Sequence, residues 1–163
     1  MKFSKIQLFS ILLIPLIYLL LQSTLLDLKG PSWILMPQDL GYNYLFNGLN
    51  FLNFSQIGTL IHPALIQIIF HGVLSLIIFT INGTGNFVEN VIIYAENYQL
   101  IISQVSIFIS FLCIILANFW MMDGIRNIKV IFLSQIFIFY ATIEIWIMNS
   151  FGSPENFVFL CSY

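Results

Sequence analysis

Long runs of Ile, Leu and Phe, interrupted by short polar clusters, set the layout of this chain. An α-helix needs ~20 residues to cross a hydrocarbon core of ~30 Å. Four runs approach that length: 6–26, 59–81, 99–122 and 128–149. The pattern therefore predicts an all-α integral membrane bundle of about four transmembrane helices, with short interfacial helices between them. Three spans, with 6–26 lying along the surface, is the alternative that the length of that run argues against. Lys2 and Lys5 precede the first run, and Asp27 and Lys29 follow it. A basic start before an apolar core resembles a signal peptide, but no small-x-small cleavage pattern follows Thr24, so a retained helix is expected. Pro15 inside it lacks an N–H, which predicts a kink and a freed carbonyl that a neighbouring helix must satisfy.

Gly30-Pro31, Met36-Pro37 and Gly41 punctuate the next stretch as turns. Tyr44 to Phe54 then mixes aromatics with Asn and carries no charge. Two positions suit such a segment equally: the membrane interface, anchored by Trp33, Tyr42 and Tyr44, or a groove on a partner protein. His62-Pro63 falls in the first turn of the second span, where the missing proline N–H costs nothing. Asn82-Gly83-Thr84-Gly85 ends that span, and Asn86 with Glu89 three residues later resembles a capping box opening a short amphipathic helix over 87–98. The link Asp123 to Asn127 is short enough to make the last two spans an antiparallel hairpin. Ser153-Pro154 closes the fourth.

Polar residues inside such spans each cost free energy, so they tend to be paired or functional. Gln67, His71 and Ser75 recur every four residues and form one polar stripe on the second span. An imidazole there suits heme iron, chlorophyll magnesium, a quinone carbonyl, or a backbone carbonyl of another helix. His62 lies on nearly the opposite side of that helix and reads as an interfacial cap. On the third span, Ser103, Ser106, Ser110, Cys113 and Ala117 make a face of small residues, a surface for helix packing. Gln135, Thr142 and Asn149 repeat every seven residues on the fourth span. Glu144 lies in the middle of that span, where a proton-relay role competes with a structural hydrogen bond across an interface.

Composition changes the picture in one respect. Only 7% of the 163 residues are Asp, Glu, Lys or Arg, while 60% are apolar; soluble domains carry roughly 25% charge. Too few charges exist to cover a surface in water, and the net charge of −2 excludes a basic face for nucleic acid. Basic residues are spread too evenly, at Lys2, Lys5, Lys29, Arg126 and Lys129, to orient the chain. Cys113 and Cys161 are too far apart in sequence and context to suggest a disulfide or a metal site. Abundant Phe, Ile and Asn fit an AT-rich gene, which points to an organelle-encoded membrane protein, with a bacterial inner membrane as the alternative. No phosphate loop, paired metal ligands or Ser/His/Asp grouping is present in the sequence.

The stretch Trp120-Met121-Met122-Asp123-Gly124-Ile125-Arg126-Asn127 resembles the Gly-Ile-Arg motif in the membrane-anchor subunits of succinate dehydrogenase. In that family the motif follows a heme-ligating His, and here Trp120 stands at that position. The family's Ser-x-x-His-Arg pattern at the quinone pocket is partly matched by Ile69-Phe70-His71-Gly72, which keeps the His and lacks the Arg. The resemblance covers about a tenth of the chain, and a helix N-terminal to the usual three is extra. It implies a respiratory-chain subunit of the mitochondrial inner membrane, embedded among other membrane subunits and lipids. His71, Gln67, Ser75 and Arg126 are then the candidate quinone contacts, with ubiquinone or heme b at an interface shared with another subunit. Three other readings remain open: an accessory structural subunit without cofactor contact, a pigment-binding thylakoid photosystem subunit, and a small proton or solute transporter using Glu144.

Overall fold

In lipid a long apolar segment can satisfy its backbone only by hydrogen bonding within itself, so helices are the expected outcome of such runs. The computed structural model describes residues 5–28, 40–58, 64–124, 129–130 and 132–133. Among them all regular structure is helical: α1 (Lys5–Leu28), α2 (Leu40–Leu52), α3 (Ala64–Asn82), α4 (Phe87–Ile93) and α5 (Ala95–Gly124). Three helices are long and apolar enough to cross a membrane, over Ile11–Leu28, Leu65–Asn82 and Ala95–Met121. These correspond to the first three predicted spans. Nearly all of 128–149 lies outside the described residues, and so do His62, Arg126 and Glu144.

Chain order does not give the packing order. α2 packs chiefly on α3, α1 rests on α5, and α5 also touches α2, α3 and α4. The α1–α5 contact follows from Pro15. Its ring leaves the carbonyl of Ile11, one turn earlier, without an intrahelical donor. Asn118 of α5 donates its Nδ2 to that oxygen at 3.1 Å, and Ile11, Pro15 and Asn118 are all buried. Tyr18 and Leu26 of α1 pack with Ile107, Phe111 and Ile114 of α5. Leu26 and Asp27 also share a small cavity with Gln104 and Ile107. Ile11 thus lies near Asn118 while Leu26 lies near Ile107, so α1 and α5 are antiparallel. The docking line for α1 on α5 is Ile107, Phe111, Ile114 and Asn118, about a quarter turn from the small-residue face. On that face Ser103 and Ser110 are buried, but Ala117 is exposed.

The α2–α3 contact depends on two glycines. A Cβ on Gly48 would lie 2.6 Å from the Gly72 nitrogen and 2.9 Å from the Ile68 carbonyl oxygen. One on Gly72 would lie 2.8 Å from the Gly48 oxygen. Backbone meets backbone here, so no side chain can be admitted by a rotamer change. The close approach buries Gly41, Tyr44, Leu45, Asn47, Gly48 and Leu49 of α2. The sequence suggested an interfacial segment or one lying in another protein's groove; the groove is on α3 of the same chain. Leu45 and Leu49 join Val91, Tyr98 and Ile102 in the main apolar cluster.

α4 begins where the sequence placed it. The Asn86 Oδ1 accepts from the Val88 nitrogen at 2.9 Å and from the Glu89 nitrogen at 3.3 Å, as an N-cap does. The amphipathic helix expected over 87–98 is divided at Tyr94, and α5 takes its last turn. Asn90 holds the junction, donating to the Thr84 carbonyl and accepting from the Tyr98 hydroxyl at 2.8 Å.

Gly48→Ala should therefore cost about 1–3 kcal/mol or more by overpacking. In detergent, thermal unfolding followed by circular dichroism should show a lower midpoint for this variant. Gly58→Ala, whose new methyl would meet only a side-chain oxygen at 3.5 Å, should leave the midpoint unchanged. Asn118→Leu should lose a smaller increment, about 0.5–1.5 kcal/mol, because one buried carbonyl loses its donor.

Candidate functional site

Gln67, His71 and Ser75 are brought to one buried line by the four-residue spacing on α3. Their exposures are 2%, 0% and 0%. Two of the three bond back to their own helix. The His71 Nδ1 lies 2.9 Å from the Gln67 carbonyl oxygen, and the Ser75 hydroxyl donates to the His71 carbonyl at 2.7 Å. A carbonyl can only accept, so the hydrogen of this imidazole is on Nδ1 and the Nε2 of the neutral ring carries a lone pair. That Nε2 and the Gln67 Oε1 are both buried without a hydrogen-bond partner. Each is an acceptor. The line therefore presents two unsatisfied acceptors and asks for a donor.

α2 forms the roof of this line. The Tyr44 ring centroid lies 5.7 Å from that of His71, and Phe70 stands edge-on at 6.0 Å. Tyr44 packs in turn on Ile68. The close approach of Gly48 to Gly72, the residue next to His71, is what lets the roof sit so low. A ligand that reaches His71 must either be enclosed with it or lift α2 away. α5 adds further buried polar groups: the Gln99 side-chain amide and the Ser103 hydroxyl have no partner. Among the described residues no group of three or more His, Cys, Asp or Glu gathers as metal ligands do.

The structure keeps three of the four candidate quinone contacts together, and Arg126 lies outside the described residues. Trp120, at the position of the heme ligand in the resemblance, is 77% exposed and does not join His71 in the buried core. Its indole is a donor and offers no lone pair to a metal, so this chain supplies no axial ligand there. Sequence reasoning offered Tyr44 as an interfacial anchor, whereas it is buried against His71, and it missed Gly48 and Gln99. Gly48 carried a usable signal, a second glycine in an uncharged helix-length segment, but its partner Gly72 could not be read from it. Gln99 was read only as the edge of a span.

No protein-family model matches this chain, and no curated protein or solved structure matches it either. The functional reading therefore rests on the residues alone.

Carbethoxylation with diethyl pyrocarbonate, read peptide by peptide, checks the roof. His71 should stay unmodified in the native protein and become reactive in Tyr44→Ala, while Tyr44→Phe should protect it as the native ring does.

Proposed function

We propose that this chain is a membrane-embedded subunit of a respiratory-chain complex, of the succinate dehydrogenase membrane-anchor type, in the mitochondrial inner membrane. Its main work is to anchor and scaffold, and its His71 line forms one wall of a quinone site. One observation carries the reading: a buried imidazole and a buried amide oxygen, side by side in an apolar helix, both lack a donor. Leaving acceptors so placed without partners costs about 1–3 kcal/mol each. A group that brings hydroxyls into the site removes that cost.

The chemistry of the pair sharpens the ligand. Two acceptors complement the hydroxyls of the reduced quinol better than the carbonyls of the quinone. To hold a quinone carbonyl, His71 would have to take up a second proton and donate from Nε2. The wall would therefore favour the quinol, and a half-turn of the Gln67 amide would supply the donor that the oxidised form needs. Trp120 provides no ligand for a heme b, so the position that the resemblance gives to the axial histidine cannot serve as one in this chain.

Exposed Leu16, Leu20, Leu116 and Trp120, with the other large apolar side chains on the outside of α1 and α5, suit contact with lipid and with further membrane subunits. Purification in mild detergent followed by mass spectrometry of the co-purifying proteins tests the assignment. A flavoprotein and an iron–sulfur protein are expected. Partners of another respiratory complex, or a photosystem, would replace this reading with one of its competitors. For the site, His71→Gln keeps an acceptor and some volume, whereas His71→Ala leaves a cavity and should cost about 2–5 kcal/mol of stability. His71→Leu removes the acceptor without a large cavity and should lower quinone reduction about tenfold in the intact assembly. Quinone kinetics unchanged in His71→Leu would remove the site from the proposal.

A further inference from the structure

The directions of the helices do not agree with the number of apolar spans. α1 and α5 are antiparallel, because Ile11 meets Asn118 at one end and Leu26 lies by Gln104 and Ile107 towards the other. α3 and α5 are joined at a common end. Only the stretch 83–94 separates them, and the side chains of Ile78, Asn82, Tyr98 and Ile101 line one cavity there. α3 therefore ends where α5 begins. It follows that α1 and α3 run in the same direction.

Two helices that cross a bilayer in the same direction cannot be consecutive crossings. The chain leaves α1 at Leu28 on one side and enters α3 at Ala64 on the other. Between those residues it must return, and α2 is the described helix in that stretch. We propose that α2 carries the chain back across the bilayer, so that the protein crosses four times by Gly124, with α2 as the second crossing. The inference rests on α1, α3 and α5 being membrane crossings and is independent of the quinone reading.

Three observations support it. The Tyr42 hydroxyl, at the start of α2, bonds to the Glu96 carboxylate at the start of α5, which places this end of α2 at the side where α3 finishes. Gly48 meets Gly72, close to the midpoint of the apolar window Leu65–Asn82. The chain that follows α2 then leads to the first residue of α3, at the opposite side. α2 thus starts at one boundary, passes mid-depth and heads for the other.

Hydropathy conceals such a crossing. α2 has 13 residues and spans about 20 Å, against a hydrocarbon core of ~30 Å. It also carries Asn43, Asn47 and Asn50, which lower its apolar character. One of them, Asn47, also serves the backbone that follows the helix. Backbone outside a helix is tolerated at membrane depth only where its polar groups are satisfied by protein. After α2 the Gly58 nitrogen donates to the Asn47 Oδ1 at 2.8 Å, the Ser55 nitrogen donates to the Asn50 carbonyl, and the Asn53 amide donates to the Leu49 carbonyl. The Asn47 and Asn53 side chains thus close the end of a helix too short to reach the far surface unaided.

Single cysteines test the crossing in the full chain, in sealed membranes, with Cys113 and Cys161 replaced by Ser. A membrane-impermeant maleimide is applied from one side before and after permeabilisation. The exposed positions Asp27, Ser55 and Thr84 are each changed to Cys in turn. The expected result is that Asp27→Cys and Thr84→Cys label from the same side and Ser55→Cys from the other. If α2 does not cross, Asp27→Cys and Ser55→Cys label together and Thr84→Cys alone, which overturns the proposal. Labelling of all three from one side overturns it equally. Gln56→Cys and Glu89→Cys, both exposed, replace Ser55 and Thr84 should either variant fail to accumulate.

Discussion

The contact between Gly48 and Gly72 is the constraint on which the rest of the bundle depends. Two helix backbones meet there with no room for a single methyl group. Lipid tails are as apolar as leucine, so little hydrophobic gain holds helices together in a membrane, and close backbone packing must supply much of the cohesion. The approach draws α2 onto α3 and places Tyr44 over His71. It also brings Leu45 and Leu49 into the cluster with Val91, Tyr98 and Ile102. A larger residue at either glycine would lift α2, open the polar line and separate that cluster at once.

The second theme is the satisfaction of polar groups in an apolar solvent. Pro15 frees one carbonyl, and Asn118 answers it from another helix. The Asn86 and Asn90 side chains close the turn between α3 and α5, while Asn47 and Asn53 close the end of α2. Asparagine is thus used as the local solvent for backbone ends. Against that background the bare acceptors of Gln67 and His71 on α3, with the unpartnered Gln99 amide and Ser103 hydroxyl on α5, stand out from the answered helix ends. The functional reading draws on that contrast between a satisfied frame and an unsatisfied line.

Much of the frame was legible in the sequence for a local reason. Helix ends are set by residues within a turn of the end, which is why the Asn86 cap and the close of α3 at Asn82 could be read. Pro15 announced its own need for a donor, although nothing in the sequence named Asn118 as the one. The stripe of Gln67, His71 and Ser75 was also visible, since a four-residue spacing puts side chains on one line whatever lies opposite. Whether that line met lipid, another subunit or this chain was not visible. The small-residue face of α5 was legible as a pattern, and Ser103 and Ser110 on it are buried, but the larger side chains beside it that receive α1 were not picked out.

By itself the sequence determined the solvent and the local structure. Hydropathy and helix capping are sums over neighbouring residues, and they specify helices that lipid can surround. The tertiary structure alone decided that an uncharged, asparagine-bearing segment packs inside the bundle, that His71 lies beneath Tyr44, and that α1 and α3 share a direction. Each of these depends on pairs such as Gly48 with Gly72, or Ile11 with Asn118, that are distant in sequence. Steric fit between two distant surfaces leaves no periodic trace in either of them, so it becomes apparent only when both are in place.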